Sequence, residues 1–313
     1  MKLVRTAILA LAACTLQGCT DDGGAPVDEH ELGRNEPLRT RDTVGEVRRD
    51  ERTPAGLEAD DLRPTQQDRI QAAVASEHRS EEARERDQDR HPVETLDFFD
   101  IEHDMTVVEL WPGTGWYTEI LAPLLAEEGK LIAASFGENA KPEYRAKIHE
   151  EFINKVEGNP EVFGEVEVVT FNPPDEMQLG EPGSADMVLT FRNTHNWINA
   201  GVEEDVYRAA FEVLRPGGTF GVVQHRGQAG GDLKEIAKRG YVPEPHVKQL
   251  AENVGFELAQ SSEVNANPLD TKDYQEGVWT LPPTYRLGDK DRQRYEAIGE
   301  SDRMTLQFRK PMR

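Results

Sequence analysis

The chain has 313 residues, 37% apolar and 30% charged, with 59 acidic against 36 basic residues and a formal net charge of -23. That acidity excludes nucleic acid as a partner, because binding phosphates needs a basic footprint. The apolar share falls short of the half usual in packed domains, so part of the chain is expected to stay unpacked. Two cysteines exclude both a disulfide scaffold and a CxxC metal pattern.

In chain order, Lys2 and Arg5 precede an apolar stretch from Ala7 to Leu16, then Gln17, Gly18 and Cys19. A basic start, a short apolar run and small residues before a break describe a secretory signal. The segment LQGC at 16–19 resembles the lipobox of bacterial lipoproteins. The resemblance implies removal of residues 1–18, acylation of Cys19 and an exported protein held at the bacterial envelope by its lipid anchor only. Thr20 stands where an Asp would signal inner-membrane retention, so the periplasmic face of the outer membrane is expected. Several acyl chains, at about 0.8 kcal/mol per buried methylene, would hold it there.

Residues 19–65 carry no hydrophobic period and many Gly, Pro and charged residues, the composition of a disordered acidic tether. Residues 66–91 hold Ile70, Ala73 and Val74, then a run of mixed charge, and read as a solvated helix or helical linker. His91-Pro92 is expected to end it. Residues 92–313 hold 39 acidic and 22 basic residues, so the expected domain is itself acidic. Solubility outside the cytoplasm accounts for that, and so does attraction of a cationic substrate.

After Pro92 the patterns alternate. Strands are expected at 105–110, 130–134, 166–171, 185–191 and 219–224, with helices at 117–128, 142–156 and 203–214. A helix at 244–253, a strand at 256–263 and a last strand at 304–308 follow, with a long insertion at 265–302. Short apolar runs separated by amphipathic helices predict βαβ units: an α/β fold with a doubly wound, mostly parallel sheet of about seven strands.

The most informative segment is VVELWPGTGWYTEIL at 107–121. A buried strand runs into a turn at Gly113 and Gly115, where open α/β sheets bind their ligands. Counted from Gly113 the pattern is G-x-G-x-x-T. Thr118 thus replaces the third glycine of a dinucleotide site, which argues against a nicotinamide oxidoreductase. Glu109 puts a carboxylate near the turn, suiting a cationic ligand group and disfavouring a diphosphate. No HExxH-like histidine spacing points to a metal, and no GxSxG elbow points to a hydrolase.

From about Arg90 to the C-terminus the sequence resembles class I S-adenosylmethionine-dependent methyltransferases. More narrowly it resembles predicted exported bacterial ones that share ELWPG-x-GWYTEILAP. HPVETLDFF at 91–99, FRNTHNW at 191–197, VLRPGG at 213–218 and VVQHR at 222–226 carry the rest of the likeness. It implies a Rossmann-like fold and S-adenosyl-L-methionine as cofactor. Glu109 would orient the cofactor's amino-acid end, and Gly113 and Gly115 would lie against it. Where the family commonly has an acid for the ribose, this chain has Ser135, with Glu138 three residues on. Where an acid faces adenine, it has Asn172, with Asp175 nearby.

Methyl transfer from a sulfonium needs alignment more than acid or base, and needs a base only if the acceptor carries a proton. His195 is the candidate base, and Asn193 would orient substrate or cofactor. Tyr117 would stack on the cofactor or pack the helix start, and Trp197 is core or aromatic wall. His225 with Arg226 would hold an anionic acceptor or pair with local acids, and Arg90 with His91 would cap the cofactor's carboxylate. The acceptor is expected to be a small molecule or a peptide. A second reading is a lipid-anchored envelope protein that binds a ligand on this scaffold without turnover.

Overall fold

The computed structural model describes residues 64–312. The expected signal at 1–18, Cys19 and all but the end of the tether lie outside the described residues.

Four short helices come first: α1 (Gln66–Val74), α2 (Glu81–Glu85), α3 (Asp87–Arg90) and α4 (Pro92–Phe98). They are followed by β1 (Thr106–Leu110), α5 (Thr118–Leu125), β2 (Lys130–Ser135), α6 (Glu143–Gly158), α7 (Pro160–Phe163) and β3 (Glu167–Thr170). The chain continues through β4 (Ala185–Phe191), α8 (Thr194–Ala200), α9 (Glu203–Val213), β5 (Leu214–Gly227) and α10 (Leu233–Lys238). It ends with β6 (Val242–Pro243), α11 (Glu244–Val254), β7 (Glu257–Ser262), α12 (Arg292–Ile298) and β8 (Arg303–Arg309).

The sheet runs β3-β2-β1-β4-β5-β8-β7, with the two-residue β6 paired to β5 as its eighth strand. Strands β3 to β5 along this order are mutually parallel, and β8 enters antiparallel between β5 and β7. This is the Rossmann-like α/β architecture expected, with a mostly parallel sheet. From β1 the chain first builds outward through β2 and β3, then returns to place β4 on the other side of β1. The carboxyl end of β1 is therefore a topological switch point, where crevices open in such sheets.

Alternation along the strands feeds two cores. Val108, Leu110, Val188, Phe220 and Val222 face α8, α9 and α11, while Val107, Met187, Leu189 and Val223 face α1, α4 and α5. Both faces of the sheet are covered, which explains the near-continuous apolar runs of β1 and β4.

The segment 66–91 departs from the solvated helix or linker expected. It forms three helices, and Ile70, Ala73, Arg79 and Arg90 are buried. Thr65 and Asp68 close a capping box on α1, and the Trp116 indole donates to the carbonyl of Ala83 at 3.0 Å. Charge counting missed this because the buried arginines are paired: Arg79 forks onto Asp87 at 2.7 and 2.9 Å within the segment, and Arg90 reaches Glu300 far along the chain. His91, at φ 42, ends α3 as expected, and Pro92 at once starts α4. Pro at the first helical position loses no hydrogen bond, since that N–H has no partner in the helix.

Candidate functional site

A cavity of about 550 Å³ lies at the switch point, walled by the carboxyl ends of β1, β4 and β5. That volume falls within the range of about 300–1,000 Å³ typical of small-molecule sites. Glu109 forms part of its lining although the residue is only 1% exposed. The carboxylate accepts a 2.6 Å hydrogen bond from the Thr118 hydroxyl. Burial pushes its pKa up to about 7, against the opposing pull of that bond and of the Lys155 charge. Gly113 holds φ +65 and has no atom within 4 Å of where a Cβ would sit, so its backbone faces open space in the cavity.

Trp111 and Phe136, at the ends of β1 and β2, form an aromatic wall with ring centroids 4.6 Å apart. The Trp111 indole donates to the carbonyl of Phe171 at 2.9 Å, and the Arg145 guanidinium lies 4.7 Å above its ring. Trp111 has φ 49, in the left-handed region that non-glycine residues seldom enter. The turn thereby places an indole where the chain leaves β1. Tyr117 lines the cavity and stacks on Phe191 at 3.5 Å with 8° between planes.

The β4 edge supplies Arg192, Asn193 and His195 to the same cavity. Asn193 donates from its amide to the carbonyls of Leu110 at 2.9 Å and Trp111 at 3.2 Å, tying β4 to the turn after β1. Its donors are thus spent on the protein. His195 Nδ1 accepts from Gln224 at 3.3 Å, which leaves Nε2 to carry the proton. Burial, with Arg192 adding to it, pulls the His195 pKa down to about 4 despite the Gln224 bond. His225 bonds Ser301 through Nδ1, and burial, with His195 and the Arg192 charge close by, holds it well below the usual imidazole range. Both imidazoles are neutral at pH 7, and a general base as weak as His195 gains little from its position.

Glu109, Gly113, Tyr117, Asn193 and His195 therefore meet in one cavity. Ser135, Gly115 and Asn172 do not line it. The Ser135 hydroxyl is buried 3.1 Å from His149 Nδ1 of α6, which turns it from the ribose role expected. Gly115 packs against α6, since a Cβ there would meet the Phe152 ring at 3.2 Å. Asn172 and Glu138 share a separate cavity of about 470 Å³. Trp197 is wholly buried core, 5.5 Å from Trp111. Arg226 pairs with Glu263 at 2.7 Å and Glu244 at 3.3 Å. Among the described residues no cluster of three metal-ligating side chains occurs, and no helix is long and apolar enough to cross a membrane.

The segment 265–302 adds Trp279 and Arg286 to the cavity lining. That segment carries no hydrophobic period that would place them. Phe136, the aromatic that directly follows Ser135 at the end of β2, is the sequence signal for this wall, and Arg145 follows it on α6.

No protein-family model matches the chain, and no curated protein matches it by sequence. Solved structures do share its fold. The cyclase SpnF superposes with a TM-score of 0.50 at 14% identity, covering 80% of this chain and 97% of its own. A SAM-dependent methyltransferase from Aquifex aeolicus gives 0.45 at 20% identity over 57% of this chain and 87% of its own. An arsenic(III) S-adenosylmethionine methyltransferase from Chlamydomonas reinhardtii gives 0.46 at 16% identity over 78% and 73%.

Proposed function

We propose that the chain is an S-adenosylmethionine-dependent methyltransferase acting on a small acceptor. The observation that carries this reading is a buried carboxyl group, Glu109, set beside the open glycine turn in the cavity at the switch point. The cofactor, when bound, supplies a methyl group on a positively charged sulfur that needs no further activation. The residues present fit its amino-acid end: Glu109 would take the ammonium, and Gly113 leaves the backbone free for close approach. The ribose end lacks its usual carboxylate, and the Trp111–Phe136 wall with Arg145 is the surface available to the nucleoside.

The neutral His195 and His225 bear on the acceptor. With imidazoles of such low basicity, the site suits a nucleophile that arrives with a free electron pair. His195 then acts as a hydrogen-bond donor through Nε2 and orients that acceptor.

Calorimetric titration of the full chain with S-adenosylhomocysteine tests the reading. Saturable binding is expected, and it should weaken at least tenfold in Gly113→Val, whose side chain would fill the cradle. No heat signal at millimolar ligand overturns it.

The lipobox at 16–19 supports a second part of the proposal, that Cys19 carries a lipid anchor outside the cytoplasm. Mass spectrometry of the N-terminal peptide should find a diacylglyceryl cysteine. A mature chain starting elsewhere, with an unmodified Cys19, rejects the anchor.

A further inference from the structure

A second cavity of about 200 Å³ opens beside the first and shares Arg192, His225 and Trp279 with it. Arg86 and Arg90 from α3 and its approach, and Thr284 from the segment between β7 and β8, complete its polar wall. The sole carboxylate in its lining is that of Glu300, 5% exposed. Four guanidiniums converge on that group: Arg86 at 2.6 Å, Arg303 at 2.9 Å, Arg90 at 3.3 Å and Arg192 at 3.7 Å. Asp89 is the next acid. Its backbone carbonyl accepts from Arg303, and its carboxylate accepts from the Glu300 N–H at 3.3 Å.

One carboxylate cannot satisfy four guanidiniums. The donors Arg90 Nη1 and Arg303 Nε are buried and have no partner, although both residues are only 3% exposed. Buried charges that must share one counter-charge are only partly compensated, and guanidiniums recognise carboxylate and phosphate oxygens through paired donors. In a chain rich in acids this concentration of positive charge is local, and three of its guanidinium residues, Arg86, Arg90 and Arg192, line the cavity.

We propose that this side cavity binds the oxyanion of the methyl acceptor, a small organic carboxylate or phosphate ester whose nucleophilic atom reaches the main cavity past Arg192 and His225. The inference rests on the methyltransferase reading for the acceptor's role. Arg86 lines the side cavity and not the main one, so its replacement leaves the lining of the main cavity intact.

The test titrates the full chain by calorimetry with sodium benzoate, inorganic phosphate and S-adenosylhomocysteine, in the wild type and in Arg86→Gln. At least one anion should bind the wild type and weaken tenfold or more in R86Q. S-adenosylhomocysteine affinity should change less than twofold. Arg86→Lys should restore part of the anion binding, and unchanged thermal unfolding of both variants guards against misfolding. Preference for benzoate or for phosphate separates a carboxylate acceptor from a phosphate ester. Absence of anion binding in the wild type, or equal anion binding in R86Q, overturns the site. An equal loss of S-adenosylhomocysteine in R86Q shows that the cluster holds the cofactor's own carboxylate, and overturns the acceptor role. Anion binding with no S-adenosylhomocysteine binding in the wild type overturns the methyltransferase reading, and the acceptor role with it.

Discussion

The Glu109 carboxyl is pulled in two directions, because burial favours its neutral form while Thr118 and Lys155 favour the charged one. Burial wins, and a pKa near 7 in place of 4.5 disfavours ionisation by a few kcal/mol. A bound ammonium would reverse this and release a proton, so affinity for S-adenosylhomocysteine should rise as pH increases from 6 to 8. Glu109→Gln should flatten that dependence and weaken binding about tenfold, read by calorimetry across the range. The stability effect has the opposite sign. A group whose folded pKa is raised contributes stability below its unfolded value and loses it as pH rises through the folded value. Glu109→Gln should therefore match the wild type at pH 5 and exceed it by roughly 1–3 kcal/mol at pH 8 in urea unfolding. His195 yields a different expectation. Its pKa near 4 keeps it neutral, so the pH profile of methyl transfer should contain no His195 ionisation between pH 6 and 8. A limb near 6.5 that disappears in His195→Asn would contradict the donor role.

Secondary-structure elements set how precisely these side chains are held. Strand β1 and the turn after it were legible because β-branched residues, an acid and two glycines follow one another within a few positions. The role of Gly115 was not legible, since its neighbour Phe152 lies on α6, more than thirty residues away in sequence. The same helix captures Ser135 through His149, a contact that no local pattern announces. Gly115→Ala should thus act through packing. With φ +87 and the Phe152 ring in the way, it should cost about 1–3 kcal/mol of stability and disturb the turn only through α6. The N-terminal helices are the larger surprise at this scale. Ile70 is fully buried in the core shared with α5, so Ile70→Ala should lose about 2–5 kcal/mol in denaturant unfolding. A solvated linker would register less than about 0.5 kcal/mol, as ordinary surface substitutions do.

At the scale of the whole molecule, Glu300 joins parts of the chain that sequence keeps far apart: Arg86 and Arg90 near the start of the described residues, Arg192 at the end of β4, and Arg303 in β8. The antiparallel entry of β8 beside β5 makes this possible, because it brings the residues before Arg303 to the carboxyl edge of the parallel strands. The βαβ alternation revealed the sheet, but it could not reveal a charge cluster assembled across more than 200 residues of chain. Burial pushes the Glu300 pKa up, yet Arg303, Arg86 and Arg192 outweigh it and hold the carboxyl below the usual range. A depressed folded pKa contributes stability above the unfolded value near 4.5, and that stability is lost as pH falls through the folded value. Glu300→Gln at pH 7 leaves the buried Arg90 and Arg303 without their counter-charge, and removal of one partner from such a buried pair costs about 3–5 kcal/mol. The gap between variant and wild type should narrow as pH falls below the unfolded value and close once it has passed through the depressed folded value, where the wild-type carboxyl also becomes neutral. Urea unfolding from pH 7 downward separates this from a packing defect, which would leave the gap the same at every pH.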